Sequence, residues 1–486
     1  MPSVPITRSH VELLPDPRRL ITKPYLPADP VSAEGRTRIE QMIQRILALP
    51  SNESEDTLEQ LRKTFGQRHL DLDEVFIRGF SAVAHAVPDA AGLSGDLQRL
   101  IGAYFAHEYS LESAALTNPS IVEAPDQTGV ADGSLRVIVS FRAIGEGHVS
   151  SIEFRTGVLG PEGEIEFATA GVPVIGNRRS PEFDKELFGA KLEELGAGDG
   201  LVAQTLGRLG DKFTMAHLDA SLAELGRTEA SHEVQHVLQV MHWLASSNYE
   251  LTFPPHSEVS QRVLYPSGPT ESQGMEDARW VRFVEADGSV LYYATYTAFD
   301  GFSILPQLIE TVDFETFRIA TLNGPAARNK GIAIFPRRVA GAYAALARCD
   351  GESNYLMLSE NVRFWHDAER IQLPARPWEL MQIGNGGAPI ETEAGWLVIT
   401  HAVGPMRQYS LGAILLDIDD PRLVIGHLRE PLLVPDESER DGYVPNVVYS
   451  CGSLIHGDRL VIAYGASDTS TTFATAPVDA LLAALT

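Results

Sequence analysis

Cysteine is almost absent from this chain of 486 residues, in which only Cys349 and Cys451 occur. Two thiols exclude a disulfide framework and a cysteine-based zinc module. Long apolar runs are also missing, and the N-terminal residues lack the apolar segment of a signal peptide. These absences predict a protein that works in a reducing compartment, and we expect it in the cytoplasm.

Positive charge is scarce as well. Lysine and arginine number 39 against 65 aspartate and glutamate residues, which gives a net charge of −26. So acidic a surface repels phosphate backbones and anionic lipid headgroups, and we therefore expect neither nucleic acid nor a membrane among the partners. The apolar fraction of 44%, with 41 glycines and 30 prolines, is typical of a folded globular protein.

The spacing of the apolar residues changes near Asn118. Before it, stripes such as Ile39, Ile43 and Ile46 have helical spacing, and they predict a helical N-terminal extension over residues 1–110 whose first 32 residues form an extended arm. After it, five groups of short β-rich runs follow one another, separated by turn residues. The groups cover residues 135–158, 278–322, 331–365, 395–418 and 444–476.

A unit of a few strands that recurs every 40 to 50 residues or so is the sequence mark of a β-propeller. We therefore predict an all-β five-bladed β-propeller over residues 111–486, with a helical N-terminal region and a helical insertion at about 200–247. The amphipathic stripes of these helices need burial on the propeller or on a second subunit, so we also expect a homo-oligomer.

The insertion contains His232, Glu233 and His236, which match the HExxH pattern of zinc proteases. In that pattern two imidazoles one helical turn apart bind the metal. Here the apolar stripe passes through Val234 and Met241, and the two histidines project away from it. We therefore interpret the motif as a solvated helix face and expect no metal site.

Polar side chains stand at the beginnings or ends of strands in every group, where a propeller delivers them to one axial cavity. Five of these stretches resemble the motifs of glycoside hydrolase family 130, the mannoside phosphorylases and related mannosidases, over roughly residue 111 to the C-terminus. The stretches are GMEDAR at 274–279, ARNKGIAIFPRRVAGAYAALAR at 327–348, WELMQIG with GWLVITH at 378–401, GYVPNVVYSCG at 442–452, and YGASD at 464–468.

The resemblance implies a five-bladed propeller in which Asp277 is the general acid, passing its proton through a sugar hydroxyl to the leaving oxygen. A carboxylic acid can act so at neutral pH only if burial or a nearby charge raises its pKa, and we expect the neighbouring Glu276 to contribute. The alternative is that Glu276 and Asp277 cap a strand or pair with Arg279.

The resemblance also implies that Arg142, Arg328, Asn329 and His401 hold inorganic phosphate, which suits the paired donors of guanidinium groups. Where phosphorylases of the family usually have lysine, this chain has Gln382, which donates hydrogen bonds but brings no positive charge. Ala278 replaces the usual proline, a change of backbone stiffness. We assign Lys330 a structural pairing.

The predicted reaction is phosphorolysis of a β-mannoside with inversion, which gives α-mannose 1-phosphate. Its partners are a mannose-containing oligosaccharide and inorganic phosphate, and because phosphate is the nucleophile, no metal or organic cofactor is expected. The candidates for holding the sugar units are Asn118, Glu276, Arg279, Asp300, Tyr464 and Asp468.

Two alternatives stay open. An inverting β-mannosidase needs a second carboxylate at roughly 6.5–9.5 Å from the first, for which Glu146 and Glu153 are the candidates, although no glutamate replaces Arg142, Arg328 or His401. A non-catalytic carbohydrate-binding propeller would use tryptophans for stacking on sugars. We expect Trp365, Trp378 and Trp396 to lie in the cores of the blades instead.

Overall fold

The computed structural model describes residues 4–28, 37–197, 200–228 and 231–485. The chain divides into two compact units. The first comprises Met1–Pro15, Ala114–Ala170 and Ile175–Thr486, and the second comprises Asp16–Ser113 with Gly171–Val174. Within the described ranges, no helix is both long enough and apolar enough to cross a membrane.

The second unit is helical, with one small sheet. The strand β1 (Thr7–Leu13) comes first in the chain but belongs to the first unit. The elements of the second unit are β2 (Leu20–Pro24), α1 (Arg38–Leu47), α2 (Ser51–Phe65), α3 (Leu72–Val83), α4 (Gly95–Tyr104) and β3 (Ala106–Ser110).

Three of its four α-helices, α1, α3 and α4, begin at capping side chains, which satisfy free N–H groups of the first turn. Thr37 caps α1 in a capping box with Glu40, and Ser94 caps α4. Ile43, Val83 and Ile101 are fully buried in the core that α1, α3 and α4 share. The helices expected here are therefore present, but the strands β2 and β3 were not expected.

The first unit is rich in β-strands. Its first group is an antiparallel sheet formed by β4 (Ala115–Glu123), β5 (Leu135–Ile144), β6 (Ser150–Leu159) and β7 (Ile165–Phe167).

Between the first and second groups lies the insertion. Its elements are β8 (Val174–Ile175), β9 (Asn177–Arg179), β10 (Phe183–Asp184), α5 (Lys185–Glu194), α6 (Gly200–Gly207), β11 (Lys212–Phe213), α7 (Met215–Thr228), α8 (His232–Ser246), β12 (Tyr249–Thr252) and β13 (Arg262–Leu264).

The region expected to be helical at about 200–247 is thus three separate helices, α6, α7 and α8, and α5 precedes it. In α8, Val234 and Met241 are fully buried in the core of the insertion. His232 and His236 are exposed on the opposite side, so the predicted direction of the apolar stripe is confirmed.

Four further groups of strands follow. The second is β14 (Gly274–Val284), β15 (Val290–Phe299), β16 (Ile304–Thr311) and β17 (Thr316–Thr321), and the third is β18 (Lys330–Ile334), β19 (Tyr343–Arg348), β20 (Asn354–Ser359) and β21 (Ala368–Gln372). The fourth is β22 (Gln382–Asn385), β23 (Ile390–Thr392), β24 (Gly395–Val403), β25 (Tyr409–Leu416) and β26 (Val424–His427), and the fifth is β27 (Val448–His456), β28 (Arg459–Ala466) and β29 (Ser470–Pro477), before α9 (Val478–Ala484).

Within each group, neighbouring strands pair antiparallel, and in the fourth group β22 and β23 both pair with β24. A parallel bridge between Gly274 and Ser150 joins the first two groups. The expectation of a β-rich fold is confirmed. The N-terminal residues differ from the expected extended arm, because β1 pairs with β29, from Thr7 with Thr475 to Leu13 with Thr471, and becomes the fourth strand of the last group.

Separate apolar cores join neighbouring groups. Trp280 packs on Phe154 of the first group, with ring centroids 5.8 Å apart. Trp396 packs on Phe335 of the third group at 5.0 Å. Trp365 and Trp396 are fully buried, as expected, whereas Trp378 is half-buried and donates from Nε1 to the Arg429 carbonyl.

Candidate functional site

Register shifts in the first strand of three groups interrupt the backbone hydrogen bonds between strands and redirect polar side chains. The register shifts between Thr117 and Ser120 in β4, and between Glu276 and Arg279 in β14. Asn118 (φ 50°) and Asp277 (φ 54°) adopt left-handed backbone conformations at these points. In β18 the shift follows Lys330, directly after the left-handed Asn329. Such bulges bend a strand and re-aim a side chain.

These side chains meet in one pocket of the first unit. Of the residues predicted for the site, the lining includes Asn118, Arg142, Asp277, Gln382 and Asp468. The remaining lining residues are Lys330, Arg348, Arg407, Tyr409, Val447 and Tyr449. The pocket therefore combines several cationic groups with two carboxylates.

Asp277 is held by cations on several sides. The Asn118 amide donates to its Oδ1, the Arg142 Nη1 lies 3.8 Å from the same oxygen, and Arg279 Nη1 donates to its backbone carbonyl at 3.0 Å. Burial raises the pKa of the Asp277 carboxyl, but the charges of Arg142, Arg279 and Lys330 together with the Asn118 hydrogen bond outweigh it and leave the pKa below its usual value. The expectation of a raised pKa at Asp277 is therefore wrong for this arrangement.

Glu276 joins two cations of the pocket. Arg142 Nη2 lies 2.7 Å from its Oε1, and Lys330 Nζ lies 2.6 Å from its Oε2. The carboxylate of Glu276 therefore neutralises these cations instead of raising the pKa of Asp277. Lys330 has the structural pairing that we expected, although its side chain also lines the pocket.

His401 is buried and neutral. Its Nδ1 lies 2.9 Å from the Asn385 carbonyl, which only accepts, so Nδ1 carries the hydrogen. The bare Nε2 then accepts from Arg348 Nη1 at 2.8 Å. Burial and the charges of Arg348 and Arg279 hold the pKa of His401 well below its ordinary value.

Gln382 contacts this group from the pocket side, with its Nε2 3.4 Å from His401 Nε2. Arg348 is only 9% exposed, and its Nε has no hydrogen-bond partner among the described residues. A buried guanidinium with an unused donor is suited to bind an oxyanion.

Asp468 is the second carboxylate of the pocket. It lies in the turn after β28, where Ser467 (φ 47°) and Asp468 (φ 49°) are both left-handed. Burial and the negative charge of Asp277 raise the pKa of Asp468 to about 6, against the opposing charges of Arg142 and Arg407. Of the two carboxyl groups, Asp468 therefore holds its proton more readily.

Arg279 lies beneath the lining. It is buried and donates from Nη2 to the Tyr449 hydroxyl at 2.8 Å, and the Tyr449 ring in turn packs on His401 with centroids 4.8 Å apart. Arg279, Glu276 and His401 thus touch lining residues without being part of the lining.

Four predicted site residues stand apart from this cluster, because the lining drawn from the described residues does not include Arg328, Asn329, Asp300 or Tyr464. Arg328 is exposed, and Asn329 is half-buried. Asp300 accepts from the backbone N–H groups of Phe302 and Ser303 and so caps a turn.

Tyr464 is fully buried in the core between the fourth and fifth groups, and its hydroxyl donates to Glu439 Oε1 at 2.5 Å. The expected contact between Tyr464 and a sugar does not fit this placement, because its polar atom already has a buried partner.

The carboxylates considered for hydrolysis are also elsewhere. Glu146 is exposed in the turn between β5 and β6. Glu153 is fully buried in β6, 3.5 Å from Arg155. Neither belongs to the pocket lining in the described part of the chain.

The sequence interpretation missed Arg348, Arg407, Tyr409 and Tyr449. Arg348 ends the stretch 327–348, and Tyr449 lies inside the stretch 442–452, so both lie within motifs that were recognised. Whether they line the pocket depends on the face of the strand that they occupy, and this face is known only once the register of strand pairing is known.

Across the ranges that the structure describes, no group of three or more histidine, cysteine, aspartate or glutamate side chains is arranged to hold a metal ion.

A pocket that combines cationic groups with two carboxylates is suited to bind an anion and to exchange a proton. The family model of beta-1,4-mannooligosaccharide phosphorylase, glycoside hydrolase family 130, matches residues 243–486. The chain belongs to this family.

Curated relatives agree with this membership. A 1,2-beta-oligomannan phosphorylase of Thermoanaerobacter sp. is 37% identical over 207 residues, which are 41% of this chain and 67% of that protein. A beta-1,2-mannobiose phosphorylase of Listeria innocua is 34% identical over 215 residues, 43% of this chain and 59% of that protein. The matches thus span about three fifths to two thirds of the relatives' length.

Among solved structures, the complex of the Listeria innocua beta-1,2-mannobiose phosphorylase with beta-1,2-mannobiose superimposes with a TM-score of 0.45 and 22% identity. That superposition covers 78% of this chain and 93% of the other.

Proposed function

We propose that the chain is an inverting β-mannoside phosphorylase, which cleaves a mannose-containing oligosaccharide with inorganic phosphate to give α-mannose 1-phosphate. One observation carries the proposal: the Asp277 carboxyl shares a pocket with Arg142, Lys330 and Arg348. Membership of the family and the names of the phosphorylase relatives support it.

In this reaction a phosphate oxygen attacks C1 of the mannosyl unit, while the bond from C1 to the leaving oxygen breaks. Asp277 supplies the proton that the leaving oxygen takes up, through a sugar hydroxyl as in the family. The proton has to be present first, and the cations around Asp277 oppose it. A phosphate dianion bound among these cations offsets their charge, and burial then favours the protonated carboxyl.

For phosphate, the best-suited group is Arg348, which is buried, with Gln382 beside it. Arg142 and Lys330 extend the cationic surface, although Glu276 shares their charge. His401 contributes by positioning Arg348. Arg328 and Asn329 directly precede Lys330 and stay predictions for this role.

The sugar units are assigned to Asn118 and Asp468, which line the pocket with Asp277. Arg279 lies beneath the lining and acts by positioning Asp277 and Tyr449. Phosphate supplies the nucleophile, so the proposed reaction requires neither a metal nor an organic cofactor. We further propose that the protein works in the cytoplasm and as a homo-oligomer.

We also propose that the five groups of strands are the blades of a propeller. Residues 111–486 together with β1 form this catalytic domain, and the rest of residues 1–110 is an N-terminal extension. Shared cores between successive groups support this arrangement. So does the core between the fifth and first groups, in which Val461 and Phe473 pack with Val139 and Phe141.

Hydrolysis is the second candidate, because Gln382 brings no charge where phosphorylases of the family usually have lysine. Incubation of the protein with β-1,2- and β-1,4-mannobiose, with and without phosphate, separates the two reactions. We expect α-mannose 1-phosphate, detected by ³¹P NMR, only with phosphate. Free mannose at equal rates in both samples would assign hydrolysis instead.

Asp277→Asn tests the role of the acid. The amide keeps the shape of the carboxyl but has no proton to give, so we expect phosphorolysis to fall by about a hundredfold or more, with an unchanged circular dichroism spectrum. Asp441→Asn, at an exposed carboxylate outside the pocket, is the control. Undiminished activity of Asp277→Asn would remove this mechanism.

A further inference from the structure

Two turns of related geometry occupy corresponding positions in the first and fourth groups of strands. Residues 145–149 join β5 to β6, and residues 404–408 join β24 to β25. In each turn the N–H of the first residue donates to the carbonyl of the fifth at 3.0 Å, from Gly145 to Val149 and from Gly404 to Gln408. The third and fourth residues of both turns have left-handed backbones.

The two turns differ at the third position. The first turn has Gly147 there (φ 69°, ψ 16°), whereas the second has Met406 (φ 58°, ψ 23°). Glycine adopts this conformation without steric cost, and a residue with a Cβ does not. The Met406 side chain is 93% exposed, so its packing in the fold does not compensate for the strain. Strained residues of this kind cluster at ligand-binding sites.

The fourth residue of the second turn reaches the pocket. Arg407 (φ 55°) lines the pocket, and its charge acts on Asp468. Its guanidinium lies 5.9 Å from the ring centroid of Tyr409, another lining residue.

The position of this turn indicates which part of a substrate it meets. Asp277 is mostly buried, whereas Met406 and Arg407 are exposed. A mannosyl unit whose bond is broken at Asp277 lies in the interior of the pocket, so the unit on the other side of that bond extends to the mouth. A methionine side chain offers an apolar surface for the C–H face of a sugar, and a guanidinium donates to its hydroxyl groups.

We propose that Met406 and Arg407 bind the acceptor sugar, the unit that leaves in phosphorolysis and that receives the mannosyl group in synthesis. This inference rests on the proposed phosphorylase function. It makes the turn 404–408 a determinant of acceptor preference, separate from the groups that hold phosphate and the mannosyl unit.

The test uses Met406→Gly and Arg407→Gln in the full chain. Leu423→Ala is the matched control, because Leu423 is an exposed apolar residue in the turn between β25 and β26, at the opposite end of strand β25 from the turn 404–408. Synthesis is followed with α-mannose 1-phosphate as donor and mannose, glucose or N-acetylglucosamine as acceptor. Thermal unfolding of each variant is measured in parallel.

We expect Arg407→Gln to raise the acceptor KM by about tenfold, the effect of losing a hydrogen bond from a charged group, with the KM for mannose 1-phosphate little changed. Met406→Gly raises the acceptor KM as well, yet its Tm is equal to or above that of the unmodified protein, because glycine relieves the strain. Unchanged acceptor KM values in both variants would overturn the proposal. A lower Tm with all constants altered together would show a structural role and also overturn it.

A second measurement separates this proposal from the proposed function. If the unmodified protein makes no disaccharide from mannose 1-phosphate with any acceptor, the phosphorylase function fails, and calorimetric titration with β-1,2- and β-1,4-mannobiose decides about the turn. Binding weakened by about tenfold in Arg407→Gln supports it. Equal binding, or no binding by either protein, contradicts it.

Discussion

Asp277 and Asp468 illustrate how neighbouring charges give two carboxyl groups of one pocket different properties. Arg142, Arg279 and Lys330 stabilise the charged form of Asp277 and lower its pKa. Asp468 is half-buried, and the negative charge of Asp277 adds to burial in raising its pKa to about 6. As the pH falls, Asp468 therefore takes up a proton before Asp277 does. An anion bound among the arginines offsets their charge and so favours protonation of Asp277.

The raised pKa of Asp468 has a consequence for stability. A carboxyl whose pKa is higher in the folded chain than in the unfolded chain favours folding while it is protonated, and this contribution is lost as the pH rises through about 6. We expect Asp468→Asn to increase the free energy of unfolding by about 2 kcal/mol near pH 7.5, since each pKa unit corresponds to about 1.4 kcal/mol. Near pH 4.5 most of this difference disappears.

Urea unfolding at the two pH values measures this effect, with the exposed Asp441→Asn as the control. A gain in stability that is the same at both pH values would show that charge on Asp468 is not its cause.

Gln382 gives a second prediction at the scale of a residue. Its amide lines the pocket 3.4 Å from His401 Nε2, next to Arg348. An ammonium group placed here attracts a phosphate dianion, so we expect Gln382→Lys to lower the phosphate KM by about three- to tenfold. Gln60→Lys, on the exposed side of α2, adds the same charge far along the chain and should leave that KM unchanged. A raised phosphate KM in Gln382→Lys would contradict the assignment.

A site residue was predictable where a local sequence motif marks its position, and it was not predictable where contacts with distant strands decide its role. Asp277 and Asp468 were predicted because the recognised stretches 274–279 and 464–468 place them at strand ends, and Arg142 was predicted from the family resemblance. The effect of Glu276 was not predictable, because its partners Arg142 and Lys330 come from other strands. The prediction that Tyr464 contacts a sugar was wrong. Successive side chains of a strand point to opposite faces, so a shift of one residue along β28 moves a side chain from the pocket to the core between two sheets.

At the scale of elements, β1 stabilises the last group of strands from the other end of the chain. Arg8 of β1 contacts Glu439, with Nη2 and Oε2 3.1 Å apart. Glu439 also accepts from the Tyr464 hydroxyl, and its carbonyl accepts from Ser467, the residue before Asp468. The strand thereby supports the turn that carries Asp468.

Glu439→Gln tests this support. The amide loses the charge that Arg8 faces and presents donors where acceptors are needed, so we expect the free energy of unfolding to fall by about 2–3 kcal/mol. Glu59→Gln breaks the exposed pair with Lys63 on α2 and should leave the free energy of unfolding nearly unchanged, because solvent screens such a pair. Equal losses in the two variants, measured by urea unfolding, would contradict a special role for Glu439.

The strands of the five groups were predictable because alternation and turn residues are local signals. The pairing of β1 with β29 was not, since it joins residues more than 450 positions apart and leaves only seven residues of weak pattern in the sequence. In the insertion, helical periodicity predicted the buried stripe of α8. It did not reveal the breaks between α6, α7 and α8, because capping signals such as Ser231 are short.

At the scale of the whole molecule, most of the second unit is one excursion of the chain, residues 16–113, inserted between two segments of the first unit. The chain leaves the first unit after Pro15 and returns to it at Ala114. The ends of the excursion lie side by side, because β2 and β3 pair antiparallel from Leu20 with Ser110 onward and the Leu111 N–H donates to the Arg19 carbonyl. The first unit therefore needs residues from before the excursion, namely β1.

Two deletions separate these contributions. A variant that lacks residues 16–113, with Pro15 joined to Ala114 by about four glycine and serine residues, keeps β1, and a flexible linker of that length spans roughly 10 Å. We expect it to fold with a cooperative unfolding transition. A variant that lacks residues 1–113 leaves β29 with an unpaired edge, which favours aggregation. We expect it to unfold at lower urea concentration and to sediment as aggregates. Equal stability of the two variants would show that β1 is dispensable and that the first unit begins at Ala114.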